Sequence, residues 1–255
     1  MNLTIKISGH RYIETYLSIV SVGALACIEK GLIDYDDAMG IIYRPGMIEK
    51  AEILFPRISK VLHLGWELDA ICGLIPEQLK QVVEKMRDIS YNSVKFNQDG
   101  TQHILYKIEE THRLEPLEDE ARRSEYKKKF KTRWLLFYRL VKRKQLGMTI
   151  KISGDGYIET YLSIVSLGAL ACIEKGLIDC DDAKSIIYQP ALLEELKKTV
   201  SVFGEALCLG LELDGISNAM PEKIKSDLEN IRRLNYNAVK FKPNGYQDLL
   251  YTLEE

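Results

Sequence analysis

The sequence is poor in the residues that usually announce chemistry. Among 255 residues there are four histidines, five cysteines and two tryptophans. The cysteines, Cys27, Cys72, Cys172, Cys180 and Cys208, form an odd set with no C-x-x-C spacing. That suits neither a disulfide framework nor a zinc site, so reduced thiols are expected. No phosphate cradle occurs: "SGHR" at 8–11 and "SGDG" at 153–156 are too short and match neither a P-loop nor a dinucleotide fingerprint. The formal net charge of -2 gives no global attraction to nucleic acid. Residues 1–8 lack a basic stretch followed by an apolar one, so a cytoplasmic location is expected. The most apolar run, Tyr16 to Ile28, is bounded by Glu14 and Glu29. It falls short of the roughly 20 residues a membrane span needs, and a buried core helix is expected instead.

What is present is a repetition. Residues 4–110 align with 149–255 at a constant offset of 145, without a gap and with about half of the positions identical. Gly23 falls on Gly168, Pro45 on Pro190, Gly65 on Gly210 and Pro76 on Pro221. The period exceeds the 20–50 residues of solenoid units, and each copy is long enough for a domain. The chain reads as a tandem duplication, with Met148 as the relic of a second start. Residues 1–110 form the first repeat, 111–148 a bridge and 149–255 the second repeat. Residues 12–38 and 157–183 are nearly unchanged, whereas 46–61 and 191–206 share almost nothing. One scaffold therefore carries two different surfaces in that segment.

Each repeat reads as mainly α. "TIKIS" alternates and predicts a strand, and "HILYKIEE" can pair with it as a small two-stranded β element. From Tyr12 to Lys30 apolar residues cover every helix face, as in a central helix, and Gly31 suits its C-terminal cap. Gly23, Ala24 and Ala26 would let neighbours approach. Asp34 is placed to cap the next helix, with Asp36 and Asp37 in its first turn. A further helix is expected near 46–54. "ISKVLHLGWELDAICGLIP" then carries Val61, Leu62, Leu64, Leu68 and Ile71 at helical spacing. Pro76 opens a last helix through about Lys95, with Leu79, Val82, Val83, Met86 and Ile89 on its buried stripe.

The bridge differs in kind. Residues 120–147 hold eleven basic and two acidic residues. Tyr126, Phe130, Trp134, Phe137, Tyr138 and Val141 recur at helical spacing, which predicts a basic amphipathic helix. Without it the repeats are acidic: twelve basic against fifteen acidic residues in 1–110, and eleven against seventeen in 149–255. Packing of the bridge on the acidic repeats is expected, with binding to an anionic membrane surface as the alternative.

Duplication also filters candidate chemistry. His10, His63, His103 and His112 have no counterpart in the second repeat, and His63 is replaced by Cys208. A histidine base or ligand working in both repeats is thereby excluded, as is a Ser-His or Cys-His pair. Paired carboxylates survive: Glu14 and Glu159, Asp36 and Asp37 with Asp181 and Asp182, Glu67 and Asp69 with Glu212 and Asp214. The aspartate pairs are explained by a helix N-terminus, and Glu67 and Asp69 do not share a helix face. Tyr91, Asn92, Lys95 and Phe96 recur as Tyr236, Asn237, Lys240 and Phe241, but acidic repeats oppose a phosphate backbone. No enzyme, metal or cofactor is expected.

"HLGWELDAICGLIPEQL", His63 to Leu79, with "GLIDYDDAMGIIYRP" at 31–45, resembles a family of small bacterial proteins of unknown function. The pattern H-L-G-x-E-L-(D/E)-x-I-x-x-L-I-P-E-x-L is met at His63, Leu64, Gly65, Glu67, Leu68, Asp69, Ile71, Leu74, Ile75, Pro76, Glu77 and Leu79. The second repeat departs at Cys208, Ala219 and Met220. The resemblance brings no activity with it. By analogy, small acidic helical proteins in tandem copies are similar to immunity proteins. The expectation is a monomer with an internal pseudo-dimer that binds a basic toxin domain. Asp36, Asp37, Glu67, Asp69, Asp181, Asp182, Glu212 and Asp214 would supply charge, with partner choice set by 46–61 and 191–206. In the alternative, a membrane-surface or scaffold protein, Phe130, Trp134, Phe137 and Tyr138 of the bridge would do the binding.

Overall fold

A computed structural model of the chain describes residues 2–95, 104–109, 146–196, 202–219, 221–240 and 249–254. The first repeat contributes β1 (Asn2–Ser8), α1 (His10–Glu29), α2 (Tyr35–Ile41), α3 (Pro45–Leu54), α4 (Pro56–Trp66), α5 (Leu68–Leu74), a 3-10 turn (Pro76–Gln78), α6 (Leu79–Ser93) and β2 (Ile104–Glu109). The second contributes β3 (Gly147–Ser153), α7 (Asp155–Glu174), α8 (Cys180–Ile186), α9 (Pro190–Leu196), α10 (Val202–Ala219), α11 (Pro221–Ala238) and β4 (Leu249–Glu254). The protein is mainly helical, and each repeat carries the expected two-stranded element: β1 pairs antiparallel with β2, and β3 with β4.

Local chemistry sets the helix ends. Gly31 and Gly176 adopt φ of 66° and 64°, a left-handed conformation glycine enters without steric cost, just past the ends of α1 and α7. Asp34 and Asp179 close reciprocal capping boxes at α2 and α8. In the first repeat the segment around Glu67 corrects the expectation of one continuous helix. The chain turns at Glu67 between α4 and α5, and α5 stops at Ile75, whose extended φ of -142° is what a residue before proline prefers. The second repeat runs unbroken over the same stretch as α10.

The repeats are joined through more than the bridge. The sheet runs β2-β1-β3-β4, so the two central strands come from different repeats. They pair antiparallel from Asn2 opposite Ser153 to Ser8 opposite Gly147. Leu3, Ile5, Ile7, Met148, Ile150 and Ile152 all point into the protein and are buried. Beneath them α1 packs against α7. These two helices touch through glycine. A methyl group on Gly23 would stand 1.9 Å from the Ile164 carbonyl oxygen, and one on Gly168 would stand 1.9 Å from that of Ile19. The small residue the sequence offered for close approach thus meets its own counterpart.

One hydrophobic core draws on both repeats, from Leu3 to Tyr251. The helices α1 and α7 are long and apolar enough to cross a membrane by length and composition. Here 72% and 78% of their apolar windows are buried in the protein, which accounts for helices apolar on every face.

Candidate functional site

The acidic residues singled out by the sequence divide into two kinds. Asp37 and Asp182 are half-buried and serve the helix ends. The Asp37 amide donates to Asp34 Oδ1 at 2.7 Å while Asp37 Oδ2 accepts from the Asp34 amide at 3.1 Å, and Asp179 with Asp182 repeats both distances. Burial pushes the Asp37 carboxyl up to about 6, and it raises Asp182 in the same direction. Glu159 is also structural: its Oε1 accepts the Phe203 amide at 3.1 Å, at the start of α10. Asp36 and Asp181 are exposed, and Asp181 lies 3.8 Å from the Lys184 ammonium. Glu67, Asp69 and Glu212 are exposed as well. Asp214 lies on α10, and its side chain is outside the described residues, as are Phe130, Trp134, Phe137 and Tyr138 of the bridge.

Three of the exposed acids lie on neighbouring elements of the first repeat. Helix α2 packs against α4 and α5, and Tyr35 of α2 meets Cys72 of α5; burial first, then that thiol, raises the Tyr35 hydroxyl. This sets Asp36 and Asp69 on adjacent helices, with Glu67 at the turn between α4 and α5. The corner also shows apolar surface. Trp66 ends α4 and is 45% exposed; Leu74 and Ile75 end α5 and are 81% and 38% exposed. Glu77 follows, exposed too. Trp66, Leu74 and Ile75 therefore bracket α5 within an acidic surround.

Sequence reasoning missed these three residues because large apolar side chains in an amphipathic pattern read as core. The usable signal lay in the repeat itself: the second copy has Leu211, Ala219 and Met220 at these positions. Two histidines bond to residues of the variable segment. His63 Nε2 lies 2.5 Å from Glu52 Oε1, and His10 Nε2 lies 2.6 Å from the Leu54 carbonyl oxygen. Among the described residues no group of three or more histidines, cysteines or acids could hold a metal ion, and all five cysteines are free thiols.

The structure defines a helical protein built from two homologous halves around a shared sheet. A family model described as a protein of unknown function, DUF3969, matches residues 8–109 and again 153–250. The chain belongs to this family and carries its domain twice. No curated protein and no solved structure matches the chain.

Proposed function

We propose that the protein is a non-enzymatic binding module that covers a basic protein partner, in the manner of a cytoplasmic bacterial immunity protein neutralising a toxin. The observation that supports this reading is the α4–α5 corner, where Trp66, Leu74 and Ile75 lie open among Glu67, Asp69 and Glu77. Aromatic and aliphatic anchors inside a charged rim are the composition of a protein-contact surface. The rim's sign selects a basic partner and speeds encounter with it. The segment 46–61, in which the repeats diverge, would set partner choice.

The test is affinity purification of the tagged chain from its native host, followed by mass spectrometry. A stoichiometric basic partner that leaves as salt rises, and is lost from a Trp66→Ala, Leu74→Glu variant, supports the proposal. A chain that captures no partner, or whose capture ignores both substitutions, defeats it. Sedimentation with anionic vesicles instead would move the function to the bridge.

A further inference from the structure

We infer that the surface between the repeats is a self-complementary dimerisation site, whose partner is a second copy of the same repeat. The sheet states the geometry. Each residue of β1 opposes a β3 residue such that the two numbers always add to the same total, and the midpoint is Ile5 opposite Ile150. Those two residues are equivalent in the repeat alignment, so an approximate two-fold axis passes between them.

The principal contacts across the axis then have twins 145 residues away. Tyr106 donates its hydroxyl to the Ile186 carbonyl at 2.5 Å, and Tyr251 donates to the Ile41 carbonyl at 2.7 Å. Each hydroxyl belongs to the outer strand of one repeat, and each carbonyl to the second helix of the other. The Lys30 ammonium stands 5.8 Å from the Tyr236 ring centre, and the Lys175 ammonium stands 5.9 Å from that of Tyr91. The Gly23 and Gly168 approaches are equal as well.

This is the pattern of an isologous interface, in which residue i meets j and j meets i. The tyrosines, lysines, glycines and central isoleucines of these contacts are the same in both halves, and Leu3 against Met148 is an exchange of one buried apolar side chain for another, so these contacts fit a second copy of one's own repeat as well as the other repeat. At one polar difference between the halves the partner is backbone: Arg44 donates to the Leu249 carbonyl, and Gln189, its counterpart, donates to the Ile104 carbonyl at 3.2 Å. Either side chain serves either repeat. Separation of the halves would also expose Ile5, Ile7, Ile150 and Ile152 from the centre of the core. The pairing of the halves is made by the repeats.

The test uses the full chain with a protease site inserted within residues 111–145. The chain is prepared with and without isotope labelling, cut, mixed, and examined by native mass spectrometry. The expected result is a non-covalent pair of the two fragments that persists on dilution. On longer incubation pairs of two first repeats and pairs of two second repeats should form, each at its own mass. Fragments that separate into monomers or fall from solution would overturn the inference. So would a pair that exchanges labels but never yields same-repeat species, because that would show the interface to be specific to unlike halves.

Discussion

Ile5 stands opposite Ile150 at the middle of the sheet, each buried, each at the same position in its own repeat. The pairing of two equivalent residues makes the axis of the molecule a place where one substitution has a double in the other half. The stability of the chain should show that symmetry, and also the places where it fails.

Gly23→Ala puts a methyl group against a backbone carbonyl that cannot turn aside. The slight gain in helix propensity is outweighed by overpacking, and a net loss of about 2 kcal/mol is expected. Gly168→Ala should cost about as much. Gly40→Ala, in α2, meets nothing within 4 Å and should be neutral or stabilise by up to about 1 kcal/mol. Denaturant unfolding of the three variants measures the contrast; equal effects at Gly23 and Gly40 would contradict the helix crossing.

Asp37 carries a pH signature. Burial lifts its carboxyl from 3.8 to about 6, so the folded chain holds that proton more tightly than the unfolded one. The stability tied to this group is greatest below 3.8 and falls as pH rises toward about 6. Asp182 shifts in the same direction. In an Asp37→Asn, Asp182→Asn chain the amide oxygen can still accept the capping bond, but this downward slope should vanish. Melting temperature across pH 4 to 7 is the measurement, at roughly half-unit steps near the usual carboxylate range.

Asn235 and Ser90 occupy equivalent, fully buried positions with unequal bonding. The Asn235 amide donates to Ser166 Oγ at 2.8 Å and to the Ile231 carbonyl at 2.9 Å. The Ser90 hydroxyl makes no bond among the described residues, while Asn235 leaves only its Oδ1 without one. Asn235→Ala should therefore cost about 1–3 kcal/mol, whereas Ser90→Ala relieves an unmade bond and should be neutral or stabilising. Thermal unfolding of both variants decides the matter, and a larger loss at Ser90 would refute the assignment.

Leu74→Glu should leave the melting temperature within about 1 °C of the parent, since the side chain it replaces is already 81% exposed. A large drop would mean that the α4–α5 corner is part of the fold. In that case its open apolar surface would no longer argue for a partner.

Much of each repeat was legible in the sequence because its signals are local. The capping aspartates, the glycines past α1 and α7, and the pairing of "HILYKIEE" with "TIKIS" rest on residues close together or on simple alternation. The pairing of β1 with β3 was not legible, since an alternating strand presents the same hydrogen bonds to any suitable neighbour. Gly23 announced a close approach without naming its partner. The turn at Glu67 was hidden because Gly65, two residues before it, recurs as Gly210, and the second repeat keeps Glu, Leu and Asp there while remaining helical. With that turn went the exposure of Trp66. The acids were visible in number, but Asp36 and Asp37 look alike in the sequence, and only folding makes one a free surface charge and the other a helix cap.

A symmetric dimer must show every feature of its surface twice and is obliged to be bivalent. Fusion removes that obligation. Trp66 has Leu211 as its counterpart, and the broken helix that displays it has an unbroken one. The chain keeps the shared foundation of a pair while displaying its tryptophan corner once, so a partner of the kind proposed would be held singly and never strung into a chain of partners.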